Sequence, residues 1–225
     1  MITAATKLVA LLGHPVGHSL SPRMQNAAFA ALALDWAYVA LDVPPERLEE
    51  AVRGLAAAGF TGANVTAPHK LAVAKLVDAA PAQSVNTLVF RDDRIDGTST
   101  DAAVLRGLES QHPVVLGDGG AAQAFLQALP HARSFARRGE WPPDVADADL
   151  VVNATSARDE VLVELRAGQT LVELPYPDSA TARAARASGA RVVEGLDVLV
   201  AQGAASFELW TGLPAPVGLM RAALG

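Results

Sequence analysis

The 225-residue chain contains no cysteine, and this absence removes several kinds of chemistry from consideration. Disulfide bonds, thiolate metal sites and cysteine nucleophiles are all excluded. Positive charge is also in deficit, because 18 lysines and arginines stand against 24 aspartates and glutamates, a net charge of −6. Nucleic acids and anionic membranes reward a clustered basic face, so neither is expected as a partner.

Long hydrophobic runs are missing as well. Near the N-terminus only Leu8–Leu12 is continuously apolar, which is too short for a signal-peptide core. No later run approaches the roughly 18 residues of a membrane span. Hydrophobic residues nevertheless make up 51% of the chain and charged residues 19%, a composition typical of a sizeable folded core. We therefore expect a cytoplasmic enzyme or binding protein of one large or two modest domains.

Strand-like and helix-like segments alternate along the chain. The first half has predicted strands over 7–12, 37–43, 60–65 and 85–90, and predicted helices over 22–34, 45–58 and 68–79. The second half has predicted strands over 112–116, 133–136, 149–154, 171–174 and 192–193, and predicted helices over 122–129, 181–188, 196–210 and 215–224. The alternation predicts mostly parallel sheets covered by helices, in two α/β units that share a cleft, with a boundary inside a helix near 101–108.

The segment VVLGDGGAAQA contains a nucleotide-binding pattern. Gly117, Gly119 and Ala122 have the spacing G-x-G-x-x-A directly after a predicted strand and before a predicted helix. The first glycine permits a tight turn, the second lets a pyrophosphate approach the backbone, and the small Ala122 permits close packing of helix on strand. An ordinary glycine-rich turn is the alternative, and Asp118 would repel a pyrophosphate unless it points away.

Two arginines follow this turn at an informative distance. Arg137 and Arg138 lie about 20 residues farther on, where a fold that uses NAD usually presents an acidic residue to the ribose 2′-hydroxyl. Two guanidinium groups suit a 2′-phosphate, so the sequence favours NADP. A pair of solvated surface arginines is the other interpretation.

The stretch Gly62–Lys70, reading GANVTAPHK, places a lysine at a predicted helix start. Pro68 suits the first helical turn, where its missing N–H costs nothing. The positive end of a helix disfavours an ammonium ion and so tends to lower the pKa of a lysine placed there. Acid/base catalysis by a lysine requires such a lowered pKa. Taken alone, an ordinary solvated lysine is the commoner arrangement, so this stretch gains meaning only from the rest of the chain.

Seven segments resemble, in the same order, those of the shikimate dehydrogenase family. They are GHPVGHSLSPRMQNAAF (13–29), NVTAPHK (64–70), SVNTL (84–88), GTSTD (97–101), GDGGAA (117–122), NATS (153–156) and GLDVLVAQGAASFELWTG (195–212). The resemblance implies an α/β fold with an N-terminal substrate-binding and catalytic domain over 1–101, on which a C-terminal helix at about 206–225 packs. It further implies a Rossmann-like NADP-binding domain over 102–205 and a central cleft.

The same resemblance implies an activity, the reversible NADPH-dependent reduction of 3-dehydroshikimate to shikimate in aromatic amino-acid biosynthesis. Lys70 and Asp101 would be the catalytic acid/base pair, with Asp101 keeping the lysine oriented and charged. The substrate would be bound by Ser19, Ser21, Thr66, Asn86, Tyr176 and Gln202, with the two serines on its carboxylate. The nucleotide would be bound by Gly117, Gly119, Gly120, Ala121, Ala122, Arg137, Arg138 and Thr155.

Each of these residues also has a structural interpretation. Ser19 and Ser21 suit helix caps, Asn86 suits a turn, and Asp101 suits the cap of the next helix. His14 and His18 lie four apart in a loop without an accompanying carboxylate, so no metal site is expected.

Departures from the family pattern leave alternatives to the activity open. Gln25, Ser99, Arg158 and Val198 stand where the family usually has His, Asn, Gly and Met, and the segments 101–117 and 138–149 are short. One alternative is a quinate/shikimate dehydrogenase with broader substrate use or with NAD. Another is a non-catalytic shikimate-binding relative. The chain is expected to be a monomer or a homodimer.

Overall fold

The computed structural model describes residues 2–79 and 83–225. The chain forms two compact units, Met1–Thr100 with Val200–Gly225, and Asp101–Leu199. No helix within the described residues is long and apolar enough to cross a membrane.

Each unit is built on a five-stranded sheet. The strands are β1 (Lys7–Gly13), β2 (Trp36–Asp42), β3 (Gly62–Val65), β4 (Thr87–Arg91), β5 (Arg94–Thr98), β6 (Pro113–Leu116), β7 (Arg133–Phe135), β8 (Leu150–Asn153), β9 (Thr170–Glu173) and β10 (Arg191–Val193). The α-helices are α1 (Ser21–Ala31), α2 (Leu48–Ala57), α3 (Lys70–Val73), α4 (Gly120–Ala128), α5 (Ala180–Ala187), α6 (Gly195–Thr211) and α7 (Val217–Ala222). Short 3-10 helices cover Pro45–Arg47 and Asp101–Leu105.

The sheet of the first unit is mixed, with the order β2-β1-β3-β4-β5. β1 pairs in parallel with β2 and β3, whereas the β3–β4 and β4–β5 pairs are antiparallel. Four of the five strands therefore run in the same direction and only β4 runs opposite, so the prediction of a mostly parallel sheet is confirmed for this unit. The two-residue turn at Asp92 and Asp93, both with positive φ, folds the chain back between β4 and β5 as an antiparallel hairpin.

Helix α2 shows how local pattern builds this unit. Leu48, Val52 and Leu55 recur at helical spacing and are buried against the sheet, while Glu49 and Arg53 form an exposed pair across one turn. The chain leaves the helix through Gly59, whose φ of +79° suits glycine.

Helix α3 is much shorter than the helix predicted over 68–79, since it ends at Val73. The N–H of Asp78 donates to the carbonyl of Ile95, and Ala79 accepts from the N–H of Gly97. The chain after α3 is thus recruited to the edge strand β5, and this long-range pairing overrides the helical pattern. A four-residue helix has little macrodipole, so the helix-end argument about Lys70 loses its basis.

The sheet of the second unit is parallel throughout, with the order β10-β9-β8-β6-β7. In the doubly wound order 3-2-1-4-5-6, strands 1 and 2 correspond to β6 and β7, and strands 4, 5 and 6 correspond to β8, β9 and β10. Strand 3, which usually lies outside strand 2, is absent from the described residues of this unit. Residues 136–149, all within the described part of the chain, contain neither helix nor strand, which accounts for the compact length of this unit.

Alternation along the central strands divides the core of the second unit between two faces. Val114 and Leu116 pack in one buried cluster and Val115 in the other, and Val151 and Val152 divide in the same way. Strands buried on both faces read as continuous apolar runs, which is why β6 and β8 could be predicted from sequence.

Candidate active site

The two loops that carry the first group of predicted substrate residues lie side by side in the first unit. The N–H of Thr66, just past β3, donates to the carbonyl of Leu12 over 2.9 Å, and the N–H of His14 donates to the carbonyl of Ala67 over 3.1 Å. A Cβ at Gly13 would lie 2.4 Å from the methyl carbon of Thr66, so only glycine permits this approach. The carboxyl ends of β1 and β3 therefore form one edge, where ligands of open α/β sheets usually bind.

The two serines of the HSLSP segment follow the end of β1. Ser21 is the first residue of α1 and is buried, while the N-cap position is Leu20, which makes no side-chain cap. The Oγ of Ser19 accepts from the N–H of Ser21 over 3.2 Å. Neither serine is therefore the N-cap residue of α1, contrary to the alternative interpretation of Ser19 and Ser21 as helix caps.

Tyr38 is buried close to Ser21. Burial raises the pKa of the Tyr38 phenol far above its usual range, and only the Ser21 contact opposes this shift. Tyr38 is therefore a neutral donor, and it gives its proton to Oδ1 of Asn64 over 2.9 Å.

Lys70 begins α3 and is half-buried. Its carbonyl accepts from the N–H of Val85 over 3.0 Å, which places it beside the segment that carries Asn86. The preceding residue, His69, is buried, and its Nε2 donates to the carbonyl of Val43 over 2.7 Å. Since a carbonyl only accepts, this contact fixes the ring as the Nε2–H form and anchors the backbone next to Lys70.

Asn86 and Gln202 are brought together from distant parts of the chain. Oδ1 of Asn86 accepts from the N–H of Thr100 over 2.8 Å, and Nδ2 lies 3.5 Å from Oε1 of Gln202 on α6. The carbonyl of Asn86 accepts from the N–H of Val65 over 2.8 Å. Asn86 thus belongs to a buried polar cluster rather than to an exposed turn.

Four buried polar residues next to Asn86 were not predicted from the sequence to belong to the site. Asn64, Thr87, Thr100 and Ser206 are hydrogen-bonded to one another and to Asn86. For Asn64 and Thr87 the available signal was their polarity inside the apolar segments GANV and NTLVF, because buried polar groups need partners.

The glycine turn of the second unit has the geometry of a nucleotide-binding loop. It connects β6 to α4, which begins at Gly120 with Gly119 as its extended N-cap. Gly117 has a φ of +119° and packs against the carbonyl of Ala154, whereas a Cβ at Gly119 would meet open space. The first turn of α4 contains no acidic residue, and Asp118 is exposed. A pyrophosphate therefore fits against the backbone of this turn.

Thr155 joins the turn from the neighbouring strand β8. Its methyl carbon would lie 3.5 Å from a Cβ at Gly117, and its Oγ1 donates to Oδ1 of Asn153 over 2.7 Å. Nδ2 of Asn153 donates in turn to Oε1 of Glu173 over 2.8 Å. Burial is the main cause that raises the pKa of Glu173 to about 7, while hydrogen bonds from Ser179 and Asn153 oppose the shift.

Arg137 lies two residues beyond β7, the strand that follows the glycine turn and its helix. Its guanidinium is paired with the carboxylate of Glu160 and lies 5.3 Å from the ring centre of Trp141. Arg138 is exposed beside it. A guanidinium held by an aromatic ring at this position fits a ribose 2′-phosphate.

The two remaining predicted residues, Asp101 and Tyr176, also belong to the second unit. Asp101 is buried and begins the 3-10 helix Asp101–Leu105, directly after Thr100. Tyr176 is half-buried in the loop after β9. A Cβ at Gly195 would lie 2.3 Å from the carbonyl oxygen of Pro175, so the start of α6 packs closely against the backbone of this loop. The pairing of Asp101 with Lys70 stays a prediction.

A parallel sheet with this glycine turn, followed by an arginine after its next strand, defines the class of NADP-dependent oxidoreductases with a Rossmann-like domain. Residues 11–88 match the family model described as shikimate dehydrogenase substrate binding domain, and residues 195–224 match shikimate 5′-dehydrogenase C-terminal domain. The chain belongs to the shikimate dehydrogenase family. It is 42% identical to the shikimate dehydrogenase (NADP(+)) of Anaeromyxobacter dehalogenans, over 100% of this chain and 98% of the relative.

Solved structures agree with this family. The shikimate 5-dehydrogenase of Thermus thermophilus, in complex with NADP(H) and shikimate, is 32% identical, with a TM-score of 0.85 over 97% of this chain and 98% of that one. The shikimate dehydrogenase of Aquifex aeolicus is 28% identical, with a TM-score of 0.90 over 100% and 99% of the two chains. The expected family, α/β fold, enzyme class and use of NADP are confirmed.

Proposed function

We propose that Lys70 and Asp101 are the acid/base pair with which this chain performs the reaction of its family, the reversible NADPH-dependent reduction of 3-dehydroshikimate to shikimate. Lys70 donates a proton to the carbonyl oxygen in the forward direction and accepts it from the hydroxyl in reverse. Asp101 orients the ammonium group. The reaction is a step of aromatic amino-acid biosynthesis.

One observation carries the proposal for the first unit: Thr66, Lys70, Asn86 and Gln202 are tied into a single hydrogen-bonded region by the backbone and side-chain contacts described above. Hydroxyl and amide groups suit the ring hydroxyls of a polyol, because a buried polar site strongly disfavours an analogue that lacks them. Ser19 and Ser21 bind the carboxylate through their hydroxyls, and Tyr176 contacts the substrate.

The second unit supplies the nucleotide site in this proposal. The backbone of Gly117 and of Gly119–Ala122 receives the pyrophosphate, and Thr155 borders it. Arg137 and Arg138 hold the ribose 2′-phosphate. NADPH supplies the hydride when it is bound. The substrate-binding domain thus comprises 1–101 with about 206–225, and the nucleotide-binding domain comprises 102–205.

The direct test is the oxidation of shikimate by the purified chain, followed by the absorbance of the reduced nucleotide. We expect robust turnover with NADP and shikimate, and much weaker turnover when quinate replaces shikimate or NAD replaces NADP. Comparable rates with quinate or NAD would instead support the broader dehydrogenase. Binding of shikimate without any nucleotide reduction would support a non-catalytic relative. We also propose a cytoplasmic monomer or homodimer, which the sedimentation of the same preparation tests for its oligomeric state.

A further inference from the structure

The orientation of the Asn86 amide is fixed from within the fold. Its Oδ1 lies 2.8 Å from the backbone nitrogen of Thr100, which can only donate a hydrogen bond. This contact identifies the oxygen and the nitrogen of the amide without ambiguity. Nδ2 consequently lies on the side of Thr100 Oγ1, at 3.0 Å, and of Gln202 Oε1, at 3.5 Å. Asn86 therefore presents a donor, and not an acceptor, on the side of Gln202.

The Thr87 hydroxyl is the second donor to this oxygen. Thr87 Oγ1 lies 2.9 Å from Oδ1 of Asn86. An amide oxygen only accepts, so Thr87 is the donor in this contact, and its single proton is the one that the contact uses. Thr87 is fully buried, as is Ser206 beside it, and neither side chain is placed to touch a ligand from solvent.

Asn64 supplies a further donor to the same cluster. Its Nδ2 lies 3.1 Å from the carbonyl of Asn86, which can only accept, so the identity of the Asn64 nitrogen is also fixed. The same nitrogen lies 3.1 Å from Thr87 Oγ1 and 2.9 Å from Ser206 Oγ. Both hydroxyl oxygens thus face a donor, and the Thr87–Ser206 contact of 2.8 Å closes the cluster. The Ser206 hydroxyl lies 3.0 Å from the carbonyl of Gln202, which can only accept, so the proton of Thr87 has two acceptors within reach, Ser206 Oγ and Oδ1 of Asn86.

We propose that Thr87 is a positioning residue that holds the Asn86 amide with its nitrogen toward the substrate. This inference rests on the proposed role of Asn86 in binding a ring hydroxyl. It adds the polarity of that contact: Asn86 donates, and the substrate hydroxyl accepts. Loss of the Thr87 hydroxyl removes one of the bonds that hold the amide and lets it rotate between alternative partners.

The experiment compares Thr87→Val, which keeps the shape of the side chain, with Thr87→Ser, which keeps the hydroxyl. A neutral hydrogen bond of this kind corresponds to about a two- to tenfold change in an equilibrium constant. We expect Thr87→Val to raise the KM and the calorimetric Kd for shikimate about five- to tenfold, with the Kd for NADP changed less than about twofold. Thr87→Ser should restore shikimate binding to within about twofold of wild type.

Thr98→Val is the matched control. Thr98 is the direct cross-strand partner of Thr87, and its hydroxyl enters none of these hydrogen bonds. Equal shikimate binding in Thr87→Val and Thr98→Val would overturn the inference, as would failure of serine to rescue or an equal loss of NADP affinity. If Thr87→Val does not fold, Ser206→Ala tests the same cluster and should also weaken shikimate selectively. A wild-type chain that neither binds nor oxidises shikimate would instead overturn the proposed function, and this inference with it.

Discussion

Lys70 owes its position to the residue before it and to the segment that precedes β4 rather than to a long helix. His69 is anchored to Val43, and the Lys70 carbonyl is bonded to Val85, so the backbone is held on both sides of the lysine. The proposed role of Lys70 as proton donor requires a fixed geometry, and this double anchoring would supply it.

The first prediction concerns the role of Lys70 itself. Lys70→Ala should lower kcat about 10²- to 10⁴-fold, the usual contribution of a general acid or base, and should change the Kd for shikimate far less. Steady-state rates and calorimetric titration measure the two quantities. Lys75→Ala removes a lysine five residues on and serves as the control. A Lys70→Ala enzyme as fast as Lys75→Ala would rule out the acid/base role.

The second prediction concerns Arg137. Its pairing with Glu160 shows that the guanidinium is already held by one anion, with which a 2′-phosphate would have to compete. Arg137→Ala should weaken NADP about 10- to 100-fold, the range of charge-assisted hydrogen bonds, and should leave NAD nearly unchanged. Glu160→Gln should strengthen NADP modestly, since exposed pairs are weak.

Tryptophan fluorescence titrations with each nucleotide measure both effects, and Trp141 lies beside the guanidinium. Arg166→Ala, a change at another exposed arginine of the same unit, is the control for net charge. Equal weakening of NADP and NAD by Arg137→Ala would contradict a contact with the 2′-phosphate.

At the scale of single elements, the sequence predicted those helices and strands whose position depends on the local pattern of apolar residues. The buried stripe of α2 and the apolar runs of β6 and β8 depend on neighbours along the chain, and all three were found. The end of α3 depends on pairing with β5, and the buried cluster around Thr87 depends on side chains more than 100 residues apart, such as Ser206. Local periodicity carries no information on such contacts.

Some residues of the candidate site were predictable from local spacing, and others were predictable only from the family resemblance. The glycine turn was predictable from spacing, because its function requires particular backbone freedom at fixed positions. Asn86 and Gln202 entered only through the family resemblance, since neither residue has a distinctive spacing. The structure places their side chains within 3.5 Å of each other, which supports their common assignment to the substrate.

The third prediction concerns Gly62, at the start of β3. A Cβ there would lie 2.3 Å from the carbonyl oxygen of Leu88 and 2.4 Å from Nε1 of Trp210, which donates to that same carbonyl. Gly62→Ala should therefore lower the free energy of unfolding by about 3 kcal/mol, through overpacking and loss of the indole bond.

Gly54→Ala is the control, because a Cβ at this exposed position in α2 meets nothing within 4 Å. It should be neutral or stabilise the chain by up to about 1 kcal/mol, as alanine is the better helix former. Urea unfolding of both variants gives the comparison. A Gly62→Ala protein as stable as Gly54→Ala would mean that the strand and the tryptophan can move apart at little cost.

At the scale of the whole molecule, this chain is a shortened member of its family. The alignment with the Anaeromyxobacter dehalogenans enzyme runs over 271 positions, more than the 225 residues present. Residues 136–149 replace the usual outer strand with irregular chain. The glycine turn, Thr155 and Arg137 lie at the ends of β6, β8 and β7, which all remain, so the shortening leaves each of the proposed nucleotide contacts in place.

The free energy of unfolding should depend on pH through the titration of one buried carboxyl group, that of Glu173. Glu173 is 1% exposed, and its pKa is raised to about 7, chiefly by burial, with Asp178 and Glu194 adding to the shift. Arg186 pairs with both of these acids at the surface. In the unfolded chain the group titrates near its ordinary pKa of 4.5. Below that pH both states are protonated and the group costs nothing.

Between pH 4.5 and about 7 the unfolded chain releases this proton while the folded chain retains it, so stability falls as the pH rises through this window. The loss levels off above about pH 7 at up to about 3 kcal/mol. Glu173→Gln keeps an acceptor for Asn153 and removes the ionisation. Its stability advantage over wild type should therefore grow from pH 4.5 to pH 8, as measured by urea unfolding. Glu164→Gln, at an exposed position, should show no such trend, and a pH-independent difference between Glu173→Gln and wild type would mean that the buried carboxyl does not govern the acid-to-neutral stability profile.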